Sequence, residues 1–169
     1  HSVCNMRCSY CDEKYYGKKQ PTYNIKQLVK QLYTSGALCG LQTIVWGGGE
    51  PVVGKEFPAL VNLLTGATSA RHRFLTNALV YSGAIADAIA SGRGTITTSV
   101  DAGTEEKFAK IRGTVQGLER VLSNLHSYAC INPHAVTVKY ILTENNMAYR
   151  ELWHFKDAAI KHGLRHCNF

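Results

Sequence analysis

The chain has 169 residues, 45% of them hydrophobic and 18% charged, a globular composition large enough to bury a core without disulfides. No apolar run approaches the roughly 18 residues of a membrane helix, which excludes a membrane span from the reading, and no signal peptide is expected. The formal net charge of +7 admits an anionic substrate, nucleic acid or an acidic electron donor. Lys18-Lys19 and Arg71-His72-Arg73 are only short basic clusters, so a solvated basic surface is the plainer reading and nucleic acid is not the expected partner.

In chain order, residues 1–20 read as a loop rich in cysteine, aromatic residues and lysine, and Pro21 leads into a helix from about Asn24 to Ser35 with Ile25, Leu28, Val29 and Leu32 on one face. Thr43 to Trp46 predicts a buried-type strand, stopped by Gly47-Gly48-Gly49-Glu50-Pro51 and followed by a helix near 54–65. Arg73 to Thr76 is the next strand; Ser82 can cap a helix reaching about Ser91, closed by Gly92 and Gly94. Thr95 to Val100 alternates β-branched residues as a strand does and ends at Asp101-Ala102-Gly103. Helical stretches follow from Thr104 to about Gly113 and from Gln116 to Tyr128. Val136 to Leu142 predicts a strand, Met147 to His162 a helix, and Leu164 onward the start of another strand.

Strands separated by helices of this length imply right-handed βαβ units, a parallel sheet and the α/β class, in a single domain over 1–169. Loops at the carboxyl ends of such strands form the functional site. Gly47 to Pro51, Asn77, Ser99 to Gly103 and Leu142 to Asn145 all fall there.

Three of the six cysteines, Cys4, Cys8 and Cys11, lie within eight residues, and Cys39, Cys130 and Cys167 are scattered. That is not a secreted disulfide framework, so a reducing compartment, the cytoplasm, is expected. Thiolates spaced Cys-x3-Cys-x2-Cys can reach three irons of one cubane and leave the fourth open to a substrate or cofactor. Two other readings stand beside this one. Zinc would want a fourth ligand such as His1 or Cys39, and neither has a usual zinc spacing. Positions i, i+4 and i+7 also share a helix face, as buried core cysteines would, although Asn5, Arg7, Ser9, Asp12 and Glu13 make a polar neighbourhood.

Cys4-Asn-Met-Arg-Cys8-Ser-Tyr-Cys11 resembles the signature of the radical S-adenosylmethionine (SAM) superfamily, including the aromatic residue before the third cysteine. The resemblance implies a partial (β/α)6 TIM-like barrel and a [4Fe–4S] cluster on Cys4, Cys8 and Cys11. It further implies that SAM chelates the open iron through its amino and carboxylate groups. One electron then yields methionine and a 5′-deoxyadenosyl radical that abstracts hydrogen from substrate. A reductant such as flavodoxin or ferredoxin is the implied partner.

Gly47 to Pro51 is similar to the family's GGE motif, which places Gly48, Gly49 and Glu50 at the methionine amino group; glycines admit close backbone approach and Glu50 supplies a charged acceptor. Ser99-Val-Asp101-Ala-Gly103, with Phe108 and Ile111-Arg112-Gly113, is similar to a segment of members that carry an added C-terminal cluster domain, such as peptide maturases. There the serine touches the ribose or methionine and the arginine grips the carboxylate, so Ser99 and Arg112 take those roles by resemblance. Asp101 joins them or caps the next helix. Tyr10 is expected near the adenine, and Asn77 and Leu142 at the pocket wall. Cys39, Cys130 and Cys167 read as small apolar residues rather than further cluster ligands.

The family's core usually has a strand before the cysteine loop, and only His1-Ser2-Val3 precede it here; the sixth unit is cut at Phe169. The expectation is therefore a domain truncated at both ends, with an unpaired sheet edge. Peptide or protein modification leads among reactions, followed by radical modification of a sugar, nucleotide or other small metabolite. The other class of reading is an iron–sulfur electron-transfer module or a zinc-stabilised binding module.

Overall fold

The computed structural model describes residues 3–11 and 24–169. Lys18-Lys19, Pro21, His1 and the acidic pair Asp12-Glu13 lie outside the described residues. Five strands, β1 (Thr43–Trp46), β2 (Arg71–Leu75), β3 (Gly94–Ser99), β4 (Val136–Lys139) and β5 (His166–Asn168), form one parallel sheet in the order β1-β2-β3-β4-β5. Helices α1 (Ile25–Thr34), α2 (Phe57–Ala67), α3 (Gly83–Ala90), α4 (Glu105–Arg112), α5 (Leu118–Ile131) and α6 (Tyr149–Lys161) complete the alternation. The α/β class follows as expected, with five strands rather than six among the described residues. No described strand pairs with the outer edge of β1.

The alternation of β2 sends His72 and Phe74 into the core and Arg71, Arg73 and Leu75 to the other face. Phe74, Ile96, Val136 and Val138 pack under helix residues such as Val61, Ile85, Ile89, Leu122 and Leu125. Burial of such side chains, at roughly 1.5–3 kcal/mol each, is what fixes the helices to one side of the sheet. Gly94 belongs to β3 rather than to the end of the preceding helix: a Cβ there would sit 2.7 Å from the Ala88 carbonyl carbon and the Ile89 nitrogen. Helix α1 is capped by Asn24, whose side chain accepts the Gln27 N–H at 3.0 Å. It buries no residue fully, and its apolar face borders a groove of about 830 Å³ shared with Trp46, Pro51 and Phe57.

Several boundaries move for identifiable reasons. The helix predicted near 54–65 is a 3-10 turn over Pro51–Val53 followed by α2, with Pro58 in the first turn where its missing N–H costs nothing. Strand β2 starts two residues early because Arg71 and His72 pair with Thr43 and Ile44. Ser82 precedes α3 without a side-chain cap; its N–H donates to the Tyr128 hydroxyl at 2.7 Å. Helix α5 begins at Leu118, where the Glu105 carboxylate accepts the Gly117 and Leu118 N–H groups at 2.7 and 2.9 Å. Strand β4 stops at Lys139 rather than Leu142, because the Ile141 N–H leaves the ladder to donate to Asp101 Oδ1 at 2.7 Å. No described helix is long and apolar enough to cross a membrane.

Candidate active site

The cysteine loop sits at the carboxyl ends of the strands, held by main chain. Arg7 N–H donates to the Arg112 carbonyl at 3.2 Å and Ser9 N–H to the Ile111 carbonyl at 2.8 Å, so the last turn of α4 carries the loop. On the other side, Glu50 N–H donates to the Val3 carbonyl at 2.7 Å. Met6, 2% exposed, anchors the loop in the core. Gly113 ends α4 in the left-handed region (φ 65°) directly against Arg7, where a Cβ would collide with the Arg7 carbonyl oxygen.

Cys8 is buried and Cys4 and Cys11 are half-buried. The Met6 N–H points at Cys4 Sγ (3.5 Å), and Asn77 Nδ2 lies 3.9 Å from the same sulfur while donating to Asn5 Oδ1 at 2.7 Å. Burial pushes the Cys4 thiol up, helped by Glu50 and Cys11 and opposed by the Met6 N–H and Arg112. Burial likewise raises Cys8, with Arg112 opposing and Cys4, Cys11 and Asp101 adding to the rise. Thiols raised this way hold their protons in water and release them when a metal binds the sulfur. Among the described residues no three His, Cys, Asp or Glu groups converge closely enough to hold a single metal ion. A cubane, whose thiolates each sit on a different iron, does not require that convergence, so the donor set fits a cluster.

The Gly47 to Gly49 turn, with Gly48 at φ 110°, brings Glu50 inward. Its carboxylate is 2% exposed and accepts from Thr76 Oγ1 (2.6 Å), Asn77 N–H (2.6 Å) and Val52 N–H (3.2 Å). Burial raises its carboxyl, and those three donors and Arg112 oppose the rise. Glu50 thus binds the loop after β1 to the loop after β2, with three of about four acceptor positions already taken. Thr76 is a partner the sequence did not single out; only its place beside Asn77 at a strand end could have pointed to it.

Asp101, at φ 62°, does not cap α4; Thr104 does, accepting the Lys107 N–H at 3.4 Å. Asp101 Oδ2 instead accepts from the Tyr10 hydroxyl at 2.5 Å and pairs with Arg112 Nη1 at 3.1 Å, and Arg112 Nη1 also contacts the Tyr10 oxygen. The Tyr10 hydroxyl is therefore committed to this network; burial first, then Asp101, raises its ionisation against the pull of Arg112. Burial alone would lower Arg112, but Cys8, Tyr10 and Asp101 outweigh it and hold the guanidinium charged. Arg112 Nε is buried without a hydrogen-bond partner among the described residues. The Nε edge, turned away from Asp101, is therefore the side on which a carboxylate could be gripped.

Asn146 and Glu151 brace this loop and escaped sequence reading. Asn146 Nδ2 donates to the Asp101 carbonyl at 2.9 Å, and Glu151, on the first turn of α6, accepts the Gly103 and Thr104 N–H groups at 2.7 and 3.1 Å. Ser99 is half-buried at the end of β3, Asn77 buried at the end of β2, and Leu142 is 52% exposed with no polar contact. Cys39 and Cys130 are exposed rather than packed as small apolar residues; Cys130 Sγ lies 3.4 Å from His126 Nε2.

The sequence profile of the Radical SAM superfamily matches residues 1–151. A GTP 3',8-cyclase of Haemophilus influenzae is 26% identical over 145 residues, covering 84% of this chain and 43% of the relative. A 7-carboxy-7-deazaguanine synthase of Clostridium acetobutylicum is 30% identical over 77 residues, covering 46% of this chain and 34% of the relative. Among solved structures, Streptococcus suis SuiB bound to S-adenosylmethionine superposes with a TM-score of 0.75 at 12% identity, over 98% of this chain and 37% of that one. anSMEcpe with bound AdoMet and a peptide gives a TM-score of 0.69 at 18% identity, over 98% and 47%. These likenesses establish a fold shared with radical SAM enzymes. The matched segments cover between 19% and 43% of the length of these and other curated relatives.

Proposed function

The chain belongs to the radical SAM superfamily, whose cofactors are a [4Fe–4S] cluster and SAM, and from that premise we propose that it catalyses reductive SAM cleavage and directs the resulting radical at a substrate. The observation that carries this reading is the cysteine loop docked on the last turn of α4, beside the unpartnered Nε edge of Arg112. Cys4, Cys8 and Cys11 are the cluster ligands in this reading. When bound, the cluster and SAM together supply one-electron cleavage to methionine and a 5′-deoxyadenosyl radical.

The protein's own groups bind and orient. Arg112 takes the methionine carboxylate on its Nε edge, while Asp101 and Tyr10 fix the plane of the guanidinium from the other side. The main chain of Gly48 and Gly49 receives the amino group, and Glu50 holds that turn in place through Thr76 and Asn77. Ser99 faces the ribose or methionine from the end of β3, and Asn77, Tyr10 and Leu142 complete the wall. In this reading a small reductant, flavodoxin or ferredoxin, supplies the electron, and the cytoplasm is the proposed compartment, supported by a cysteine pattern unlike a secreted disulfide framework.

Two substrate readings divide on different observations. Peptide or protein maturation rests on the Ser99 to Gly113 segment alone. A small metabolite is favoured by the curated relatives, one of which is named for action on GTP. The test of the shared chemistry is anaerobic reconstitution followed by dithionite and SAM: about four irons per chain and release of 5′-deoxyadenosine are expected. Wild-type protein that takes up zinc and no iron would overturn it.

A further inference from the structure

The face of the sheet opposite the helices is cationic, and its strand positions among the described residues carry no acid. Because His72, Phe74, Ile96, Val136 and Val138 point into the core, the residues between them share the uncovered face. None of the strand positions on that face is Asp or Glu. Arg71 and Arg73 on β2 and Lys139 on β4 are all exposed there. None of these three side chains has an ion-pair or hydrogen-bond partner among the described residues. Two described acids near the mouth are already occupied, Asp101 by Arg112 and Glu50 by its three donors. Three unpaired cations on one face repel one another, an arrangement that favours an incoming anion.

The register places them usefully. Lys139 pairs with Ser99, level with the mouth, and Arg73 pairs with Thr95 on the same intervening strand. Strand spacing and rise put their Cα atoms roughly 16 Å apart, a gap that two long side chains narrow to the size of a small polyanion. Between them Thr95 and Thr97 present hydroxyls on the same face. A guanidinium fork matches phosphate oxygens two at a time and an ammonium serves as a point charge.

We propose that this face binds the phosphoryl groups of a phosphorylated small-molecule substrate, with Arg73 and Lys139 as its anchors and Thr95 and Thr97 as its floor. It rests on the radical SAM reading for what happens to that substrate. The test titrates tripolyphosphate into cluster-loaded, SAM-bound protein by calorimetry at low salt. Saturable binding is expected, weakened about tenfold or more by R73Q and by K139Q, and less by R73K, which keeps the charge and loses the fork. R120Q, which removes an exposed charge from α5 on the helix side, leaves it unchanged. Three results would each overturn the proposal: no binding, a loss in R120Q equal to that in R73Q, or a tetraglutamate peptide binding more tightly than tripolyphosphate. Protein that binds tripolyphosphate in this pattern yet releases no 5′-deoxyadenosine sinks the proposed function and leaves the anion site standing; the reverse result sinks the anion site alone.

Discussion

Arg112 Nη1 lies 3.1 Å from Asp101 Oδ2, with the two side chains 7% and 0% exposed, and Tyr10 of the cysteine loop bridges them. A charge pair this deeply buried contributes little net stability while intact, but removing one partner strands the other. D101N should therefore cost about 3–5 kcal/mol in denaturant unfolding, because a buried guanidinium loses its counter-charge. Y10F should cost about 1 kcal/mol, since the pair survives it. A D101N protein as stable as wild type would show that Arg112 is not held as described.

Replacing Arg112 by Lys keeps the positive charge and removes the Nε edge. R112K is expected to retain its circular dichroism spectrum and to weaken SAM binding at least about tenfold, measured by equilibrium dialysis on reconstituted protein. Unchanged affinity would mean that the carboxylate is gripped elsewhere.

The cysteines divide sharply by position. C4A, C8A and C11A should each bring iron after reconstitution far below the roughly four atoms of a cubane, whereas C39A and C130A should leave it unaltered. Metal analysis by mass spectrometry reads this directly. Stripping the iron with a chelator should leave the far-ultraviolet spectrum of the sheet and helices in place, because most of the buried core, around Phe74, Ile96 and Leu122, comes from strands and helices, and the loop adds only Met6 and Cys8 to it.

His72 is a built-in proton sensor for the fold. The Trp46 indole N–H donates to His72 Nδ1 at 3.0 Å, which requires that nitrogen to be bare, and burial lowers the imidazole below its ordinary 6.5. The folded state thus favours the neutral ring, so its contribution is complete above about pH 6.5 and is lost as pH falls through the lowered folded value. Stability measured from pH 7.5 to 5 in a W153F background, followed by Trp46 fluorescence, should decline. H72N should flatten that decline; an equal slope in H72N would refute the assignment.

Two glycines should respond oppositely to alanine. In G103A the new Cβ collides with the Phe155 nitrogen and the His154 main chain, so a loss of about 1–3 kcal/mol is expected. G83A meets nothing within 4 Å and should stay within about 0.5 kcal/mol of wild type. Thermal unfolding of the two variants side by side checks the pair.

Much of this architecture is local and so was legible in the chain. Asn24 before an apolar stripe, the glycines after β1 and the β-branched run of β3 each announce their element through near neighbours. The cysteine spacing likewise lies within eight residues. What escaped reading depends on partners far along the chain. Glu50 looks like a free acceptor until Thr76 and Asn77, 26 and 27 residues away, close on it. Asp101 looks like a helix cap until Arg112, Tyr10 and Ile141 claim both its oxygens. The cationic face was invisible as a face: Arg71-His72-Arg73 reads as a short basic cluster, and only the pleat separates His72 into the core from two arginines on the open side.

The cysteine loop is moored to Ile111 and Arg112 by peptide N–H and carbonyl groups, which every residue except proline supplies in full. Saturation mutagenesis at Arg7 and Ser9 should consequently tolerate most side chains and reject proline, which cannot donate. Related chains are then free to vary those two positions as they adapt to new substrates, while the spacing of the three sulfurs stays fixed.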